Sequence, residues 1–153
     1  MTTTKWLDRD EQWAWRSFLE AQQRLTDRLD RELRDAHGLG LDDYEVLVFL
    51  SESDDGRLRM SELAEQLLHS RSRLTYRIDR LVRSGLVRRE QCPEDKRGTF
   101  AVLTDAGAAL LQEAAPVHVT GVRTHLLDAM SPAEFAQLGE VMERVAAKLR
   151  SDG

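Results

Sequence analysis

The sequence predicts a mainly α-helical fold with one small β-hairpin, an α+β arrangement. Three observations predict it. Apolar residues recur at three- and four-residue steps over 10–36 and again over 135–149, the period of helices with one buried stripe. Between these ends lie two shorter helical patterns, 62–68 and 71–84, separated only by His69-Ser70. Two runs of extended character, 86–90 and 99–103, flank the turn-forming Pro93-Glu94-Asp95-Lys96-Arg97-Gly98.

The first helix, Asp10 to Ala36, carries Trp15, Phe18, Gln22, Leu25, Leu29, Leu33 and Ala36 on one stripe. Arg24, Asp27, Arg28, Asp30, Arg31 and Glu32 lie outside it. About 27 residues of helix span roughly 40 Å, more than a small domain uses internally. Such a helix either lies along the surface or projects into an interface with a second copy. His37-Gly38-Leu39-Gly40 ends it. The two glycines lack the preceding strand and the third glycine of a dinucleotide fingerprint. A short apolar helix follows over 42–51, with Tyr44, Val46, Leu47, Phe49 and Leu50, then a turn at Ser53-Asp54-Asp55-Gly56 and a short strand over 57–60. Ser61 is the expected cap of the helix over 62–68. Ser70 is the expected cap of the helix over 71–84, which Gly85 closes. This pair has the helix-turn-helix pattern, and the hairpin after it forms a wing. Thr104 caps a long helix from Asp105 towards Leu127, where Pro116 is expected to kink it and Gly121 to loosen it. Ser131-Pro132-Ala133-Glu134 is a capping box with proline at the first helical position. The last helix presents Phe135, Leu138, Met142, Val145 and Leu149 as a seam suited to another helix.

The 153 residues fit one domain, with 42–103 as its compact winged helix-turn-helix lobe. A single cysteine, Cys92, precludes an internal disulfide framework and fits a reducing compartment. The N-terminal residues lack the apolar core of a signal peptide, and no apolar run reaches the roughly 18 residues of a membrane helix. These features predict a soluble, cytoplasmic protein without membrane association. No phosphate loop, nucleophile elbow or zinc-protease motif is present, so no catalytic residue and no cofactor is expected. Asp42-Asp43 and Asp54-Asp55 read as caps and loop tips. His118 and His125 share a helix face but lack the accompanying ligand spacing of a metal site, so no metal is expected.

Charge is segregated. Residues 57–99 hold eleven basic and six acidic residues, whereas 1–56 hold seven and fourteen and 100–153 hold four and seven; the whole chain carries −5. A positive middle within a negative chain has the form of a footprint for a polyanion. In the helix 71–84, Leu74, Ile78, Leu81 and Val82 share one face, leaving an arginine-rich face outward. Arginine bonds guanine O6 and N7 bidentately in the major groove, and serine and threonine reach bases or phosphates. Arg71, Ser72, Arg73, Thr75, Tyr76 and Arg77 are therefore the candidates for the groove, with Ser70 and Arg80 near phosphates. On the wing, Lys96 and Arg97 suit the backbone or a narrow minor groove, and Asp95 is placed to orient Arg97. These features predict sequence-specific binding to double-stranded DNA. A winged-helix module that docks proteins instead is the alternative, and it lacks salt-dependent retention on duplex DNA.

Ser61-Glu62-Leu63-Ala64, SRSRLTYRIDRLVRSGLVRRE over 70–90, PEDKRG over 93–98 and LTDAG over 103–107 closely resemble the multiple antibiotic resistance regulator (MarR) family. The resemblance implies a winged helix-turn-helix homodimer, usually a repressor, acting on a pseudo-palindromic operator. Its recognition helix is Arg71–Ser84, and Asp95 and Arg97 match the wing's Asp-x-Arg motif. Tyr76 stands where relatives often hold arginine. Residues 10–36 and 105–150 become dimerisation helices. The resemblance also implies a small aromatic or phenolic effector, for which Trp13, Trp15, Phe18, His37 and Tyr44 are the candidate ring contacts, with Glu45 beside them. The alternative is that these rings pack helices. Cys92 lies at the wing rather than in the first helix, where redox-sensing relatives carry their cysteine, and reads as incidental.

Overall fold

A computed structural model describes residues 3–95 and 97–152. Lys96, one of the candidate wing contacts, lies outside the described residues. Helix α1 (Arg9–His37) starts at a reciprocal cap, with the Glu11 amide donating to Asp8 Oδ1 at 2.8 Å and the Asp8 amide to Glu11 Oε2 at 2.9 Å. It ends at Gly38, which takes the left-handed φ of +67° that closes helices. Helix α2 (Leu41–Glu52) begins three residues later. Asp30 of α1 spans this join: its Oδ1 accepts from the Leu41 amide at 2.8 Å and its Oδ2 from Arg34 Nε at 2.7 Å. The Arg34 guanidinium holds the Asp30 carboxyl below its ordinary range, so it stays ionised at the helix start.

A 3-10 turn at Asp54–Gly56 leads into β1 (Arg57–Arg59), and α3 (Met60–Leu67) follows without a break. This corrects the expectation for Ser61. The strand passes straight into the helix, so Arg59 occupies the cap position and its amide donates to Glu62 Oε2 at 3.3 Å. Leu68 ends α3 at φ +55°, an uncommon conformation for a leucine. Ser70 then caps α4 (Arg71–Arg83), its Oγ accepting from the Arg73 amide at 3.2 Å. At the other end Gly85 (φ +74°) donates to the Val82 carbonyl and Leu86 to the Leu81 carbonyl, each at 3.0 Å, closing the helix as its sequence predicts.

Strands β2 (Val87–Gln91) and β3 (Thr99–Leu103) form the hairpin, and β1 joins it to give an antiparallel sheet in the order β1-β3-β2. Ala101 sits opposite Leu58 on one side and Arg89 on the other. Thr104 connects this sheet to α5 (Asp105–His125). Its Oγ1 donates to the Gly85 carbonyl at 2.7 Å and accepts from the Gly107 amide at 3.0 Å. Helix α5 continues across Pro116 to His125, and a 3-10 turn at Leu127–Ala129 precedes α6 (Pro132–Ser151). The predicted box at Ser131 forms in full: Ser131 Oγ accepts from the Glu134 amide at 3.2 Å and Glu134 Oε2 from the Ser131 amide at 2.7 Å.

The chain divides into two compact units, 26–118 and the two ends, 1–25 with 119–153. The division falls inside α1 and α5, so each of these helices contributes to both units. Every buried hydrophobic residue among those described belongs to 26–118. The largest fully buried side chains there are Leu33, Leu47, Leu50, Leu63, Leu74 and Ile78, drawn from α1 to α4. Each such side chain contributes roughly 1.5–3 kcal/mol on burial. The terminal unit carries the opposite signature. Trp13, Trp15, Phe18 and Leu19 of α1 and Phe135, Val141, Met142, Val145 and Leu149 of α6 are exposed, and α6 buries nothing. No helix among the described residues is long and apolar enough to cross a membrane.

Where α5 starts, its backbone lies close against the turn after α4. A methyl group at Gly107 would collide with the Leu86 carbonyl oxygen and stand 2.8 Å from Leu103 Cδ1. Gly107→Ala is therefore expected to cost about 1–3 kcal/mol, since the obstacle is backbone that a rotamer change cannot relieve. Thermal denaturation checks this, and an unchanged midpoint contradicts it.

Candidate nucleic-acid interface

The orientation of α4 follows from its apolar residues. Leu74, Ile78 and Leu81 are buried, which turns Arg71, Ser72, Arg73, Thr75 and Tyr76 to the exposed side. Ser70 is exposed at the helix start, its hydroxyl 3.3 Å from that of Ser72. Free amides and the positive end of the helix dipole collect there. Thr75 Oγ1 donates back to the Arg71 carbonyl at 2.8 Å. Tyr76 is 61% exposed, with the Arg80 guanidinium 6.0 Å from its ring centre.

The candidates on α4 do not all face outward. Arg77 is the most enclosed of its arginines, with 17% of its side chain accessible. It donates to Asp43 Oδ1 at 3.2 Å and to Asp42 Oδ2. Arg80 lies 3.8 Å from Asp43, and Arg73 donates to Asp42 at 3.2 Å while half its side chain stays exposed. Asp42 and Asp43 occupy the first turn of α2, where the helix dipole favours carboxylates. Their reading as plain caps is thus incomplete: they are the acidic partners of the arginine helix. Sequence separations of 31 to 35 residues carry no local signal for such a pairing.

An ion pair from Arg89 to Asp79, at 2.5 Å, ties the wing to α4. At the hairpin tip Asp95 builds the turn. Its Oδ1 accepts from the Arg97 amide at 2.9 Å and its carbonyl accepts from the Gly98 amide at 2.9 Å. Asp95 therefore orients Arg97 through the backbone. A cleft of about 440 Å³ opens between the start of α4 and the hairpin, and Arg59, Arg71, Arg89 and Arg97 line it together with Thr75 and Asp95. Sequence reasoning did not single out Arg59 and Arg89, although both fall within the basic block.

The ring-bearing candidates are distributed over both units. Tyr44 is buried, and its ring meets that of His118 at 4.7 Å between centroids; His37 is half-buried. Burial pushes the Tyr44 hydroxyl and the Glu45 carboxyl up and the His118 imidazole down. In the terminal unit, Trp13 is largely exposed, and Trp15 stacks on Phe18 at 6.0 Å. Cys92 is buried at 3% exposure, an environment in which thiols are inert. Among the described residues, no group of three or more side chains is arranged to hold a metal ion.

Two histidines give the pH dependence of stability a sign. Burial holds His118 below its ordinary value, and burial followed by the nearby Arg73 charge does the same for His69. The unfolded chain takes up these protons near pH 6.5 and the folded chain does not. Stability is then full above about pH 6.5 and falls as pH drops below it. His118→Phe preserves a ring against Tyr44 and removes one titrating group. Denaturant titrations are expected to show a smaller loss between pH 7 and 5 for this variant than for the parent chain, and an equal loss contradicts the assignment.

The model of the MarR family matches residues 37–98, the span from the end of α1 to the wing. The HTH-type transcriptional regulator YkoM of Bacillus subtilis is 32% identical over 124 residues, covering 81% of this chain and 78% of YkoM. The crystal structure of AbsC, a MarR family transcriptional regulator from Streptomyces coelicolor, superposes with a TM-score of 0.92 at 44% identity, over 97% of this chain and 99% of AbsC. That of Sco3205, a MarR family regulator from the same organism in complex with DNA, gives 0.92 at 46% identity, over 95% and 92%.

Proposed function

The chain belongs to the MarR family of transcriptional regulators, and on that premise we propose that it binds double-stranded DNA as a homodimer and represses transcription until a small effector releases it. The observation that carries the reading is α4 itself. Three buried apolar side chains hold it from behind, while Arg71, Ser72, Arg73 and Tyr76 stand outward beside a cleft lined by four arginines. Sco3205, similar over almost its whole length, was crystallised with DNA, which supports DNA binding here.

In this reading Arg71, Ser72, Arg73, Thr75 and Tyr76 enter the major groove, and Ser70 and Arg80 meet phosphates. Arg97, with Lys96 next to it in sequence, follows the backbone or minor groove from the wing. Arg77 is assigned to holding α4 against α2, since its guanidinium is already engaged by two carboxylates. The exposed apolar residues of α1 and α6 support dimerisation, because a second copy would cover them and exposed apolar surface marks an interaction site. Two α4 helices then read half-sites roughly one helical turn apart. The bound dimer occludes the DNA between them, which is repression. The Tyr44–His118 ring pair is our first choice for an aromatic or phenolic effector, ahead of the exposed Trp13, Trp15 and Phe18. The protein acts in the cytoplasm, where the operator is.

The test is a mobility-shift series on DNA upstream of the coding region, followed by challenge with phenolic compounds. Arg73→Ala is expected to lower the preference for operator over random duplex by roughly ten-fold, one good bidentate contact being worth about 1–3 kcal/mol of discrimination. Arg97→Ala is expected to weaken binding to both duplexes alike and to reduce the salt slope by about one. Unchanged affinity and preference after Arg73→Ala contradicts the placement of the reading face.

A further inference from the structure

Two carboxylates at the start of α2 act on the arginines of α4 in different ways. Asp43 is buried, at 6% exposure, and takes Arg77 at 3.2 Å with Arg80 at 3.8 Å. It lies behind the reading face. Asp42 lies at the rim, with 35% of its side chain accessible, and is shared between Arg77 and Arg73. Arg73 is thus an outward-facing cation of the reading helix that already holds a carboxylate, at 3.2 Å.

We propose that Asp42 is a specificity-determining residue for DNA recognition, which withholds Arg73 from the anionic phosphates and yields it to an uncharged base edge. The inference rests on the DNA-binding function proposed above. A phosphate competes with the Asp42 carboxylate for the same charge-assisted bonds to Arg73, so the exchange gains little. The Asp42 charge also repels the incoming phosphate. A guanine edge carries no net charge, so its O6 and N7 take Arg73 without that repulsion. The arrangement permits this exchange because Asp42 keeps Arg77 when Arg73 leaves, so no carboxylate is stranded without a partner. Non-specific binding, which is almost wholly phosphate contact, is penalised, and the operator complex is largely spared.

The experiment compares the full chain with Asp42→Asn and Asp42→Glu, measuring affinity for the operator duplex and for a random-sequence duplex across a salt series. Asp42→Asn is expected to bind the random duplex about three- to ten-fold more tightly, with a salt slope steeper by about one phosphate. Operator affinity should rise less, so that discrimination falls. Asp42→Glu restores the parent behaviour, because the charge and not the side-chain length is what matters. Adding Arg73→Ala to Asp42→Asn should abolish the gain on random DNA, even where the single variant is less stable. An unchanged random-duplex affinity and slope, an equal rise on both duplexes, or a gain that survives loss of Arg73 would overturn the proposal. If the parent chain itself shows no preference for any operator over random DNA, the proposed function fails instead, and the role of Asp42 fails with it.

Discussion

The constraint on which the molecule turns is the double demand made on α4. Five of its thirteen residues are arginine, and three others, Leu74, Ile78 and Leu81, are buried. A guanidinium cannot enter an apolar core without a partner, and a leucine gains roughly 1.5–3 kcal/mol by doing so. Only one rotation of the helix about its axis satisfies both, and that rotation sends Arg73 and Tyr76 outward. The caps fix the length of the helix in the same way: Ser70 starts it and Gly85 stops it.

Electrostatic struts complete what packing begins. Asp43 and Asp42 tie α4 to α2, and Asp79 ties it to β2 through Arg89. These struts engage Arg73, Arg77 and Arg80 of α4 and Arg89 of β2, while Arg71 at the start of α4 and Arg97 at the hairpin tip stay exposed. Thr104 joins the α4 turn to α5 through its hydroxyl. The helix that carries the arginines is therefore held at its back, along one edge and at both ends, while the side toward the cleft stays open.

Local chemistry made most of this legible in the sequence. The breaks at His69-Ser70 and Gly85, the cap at Thr104 and the box at Ser131 each depend on residues within four positions, and all form as read. The face of α4 was legible too, because helical periodicity separates Leu74 and Ile78 from Arg73 and Tyr76. Features that depend on distant partners were not. Ser61 is no cap, because β1 runs directly into α3, and the place of β1 beside β3 depends on residues more than forty positions away. The partnership of Asp42 with Arg73 and Arg77 is of the same kind. The stripe on α1 fits a surface helix or one that meets a second copy; within one chain, burial reaches Leu29 and Leu33 while Trp15 and Phe18 remain exposed. Periodicity identifies a face but not what covers it.

One measurement tests the placement of α4 most directly: backbone amide chemical shifts of the chain, followed residue by residue as an operator duplex is added. The largest changes are expected on residues 70–76 and on Arg97, with the buried positions Leu74 and Ile78 retaining slow hydrogen exchange throughout and the α6 amides of residues 135–149 unmoved. Binding with residues 70–76 unperturbed, or with the largest changes on α6, would contradict it.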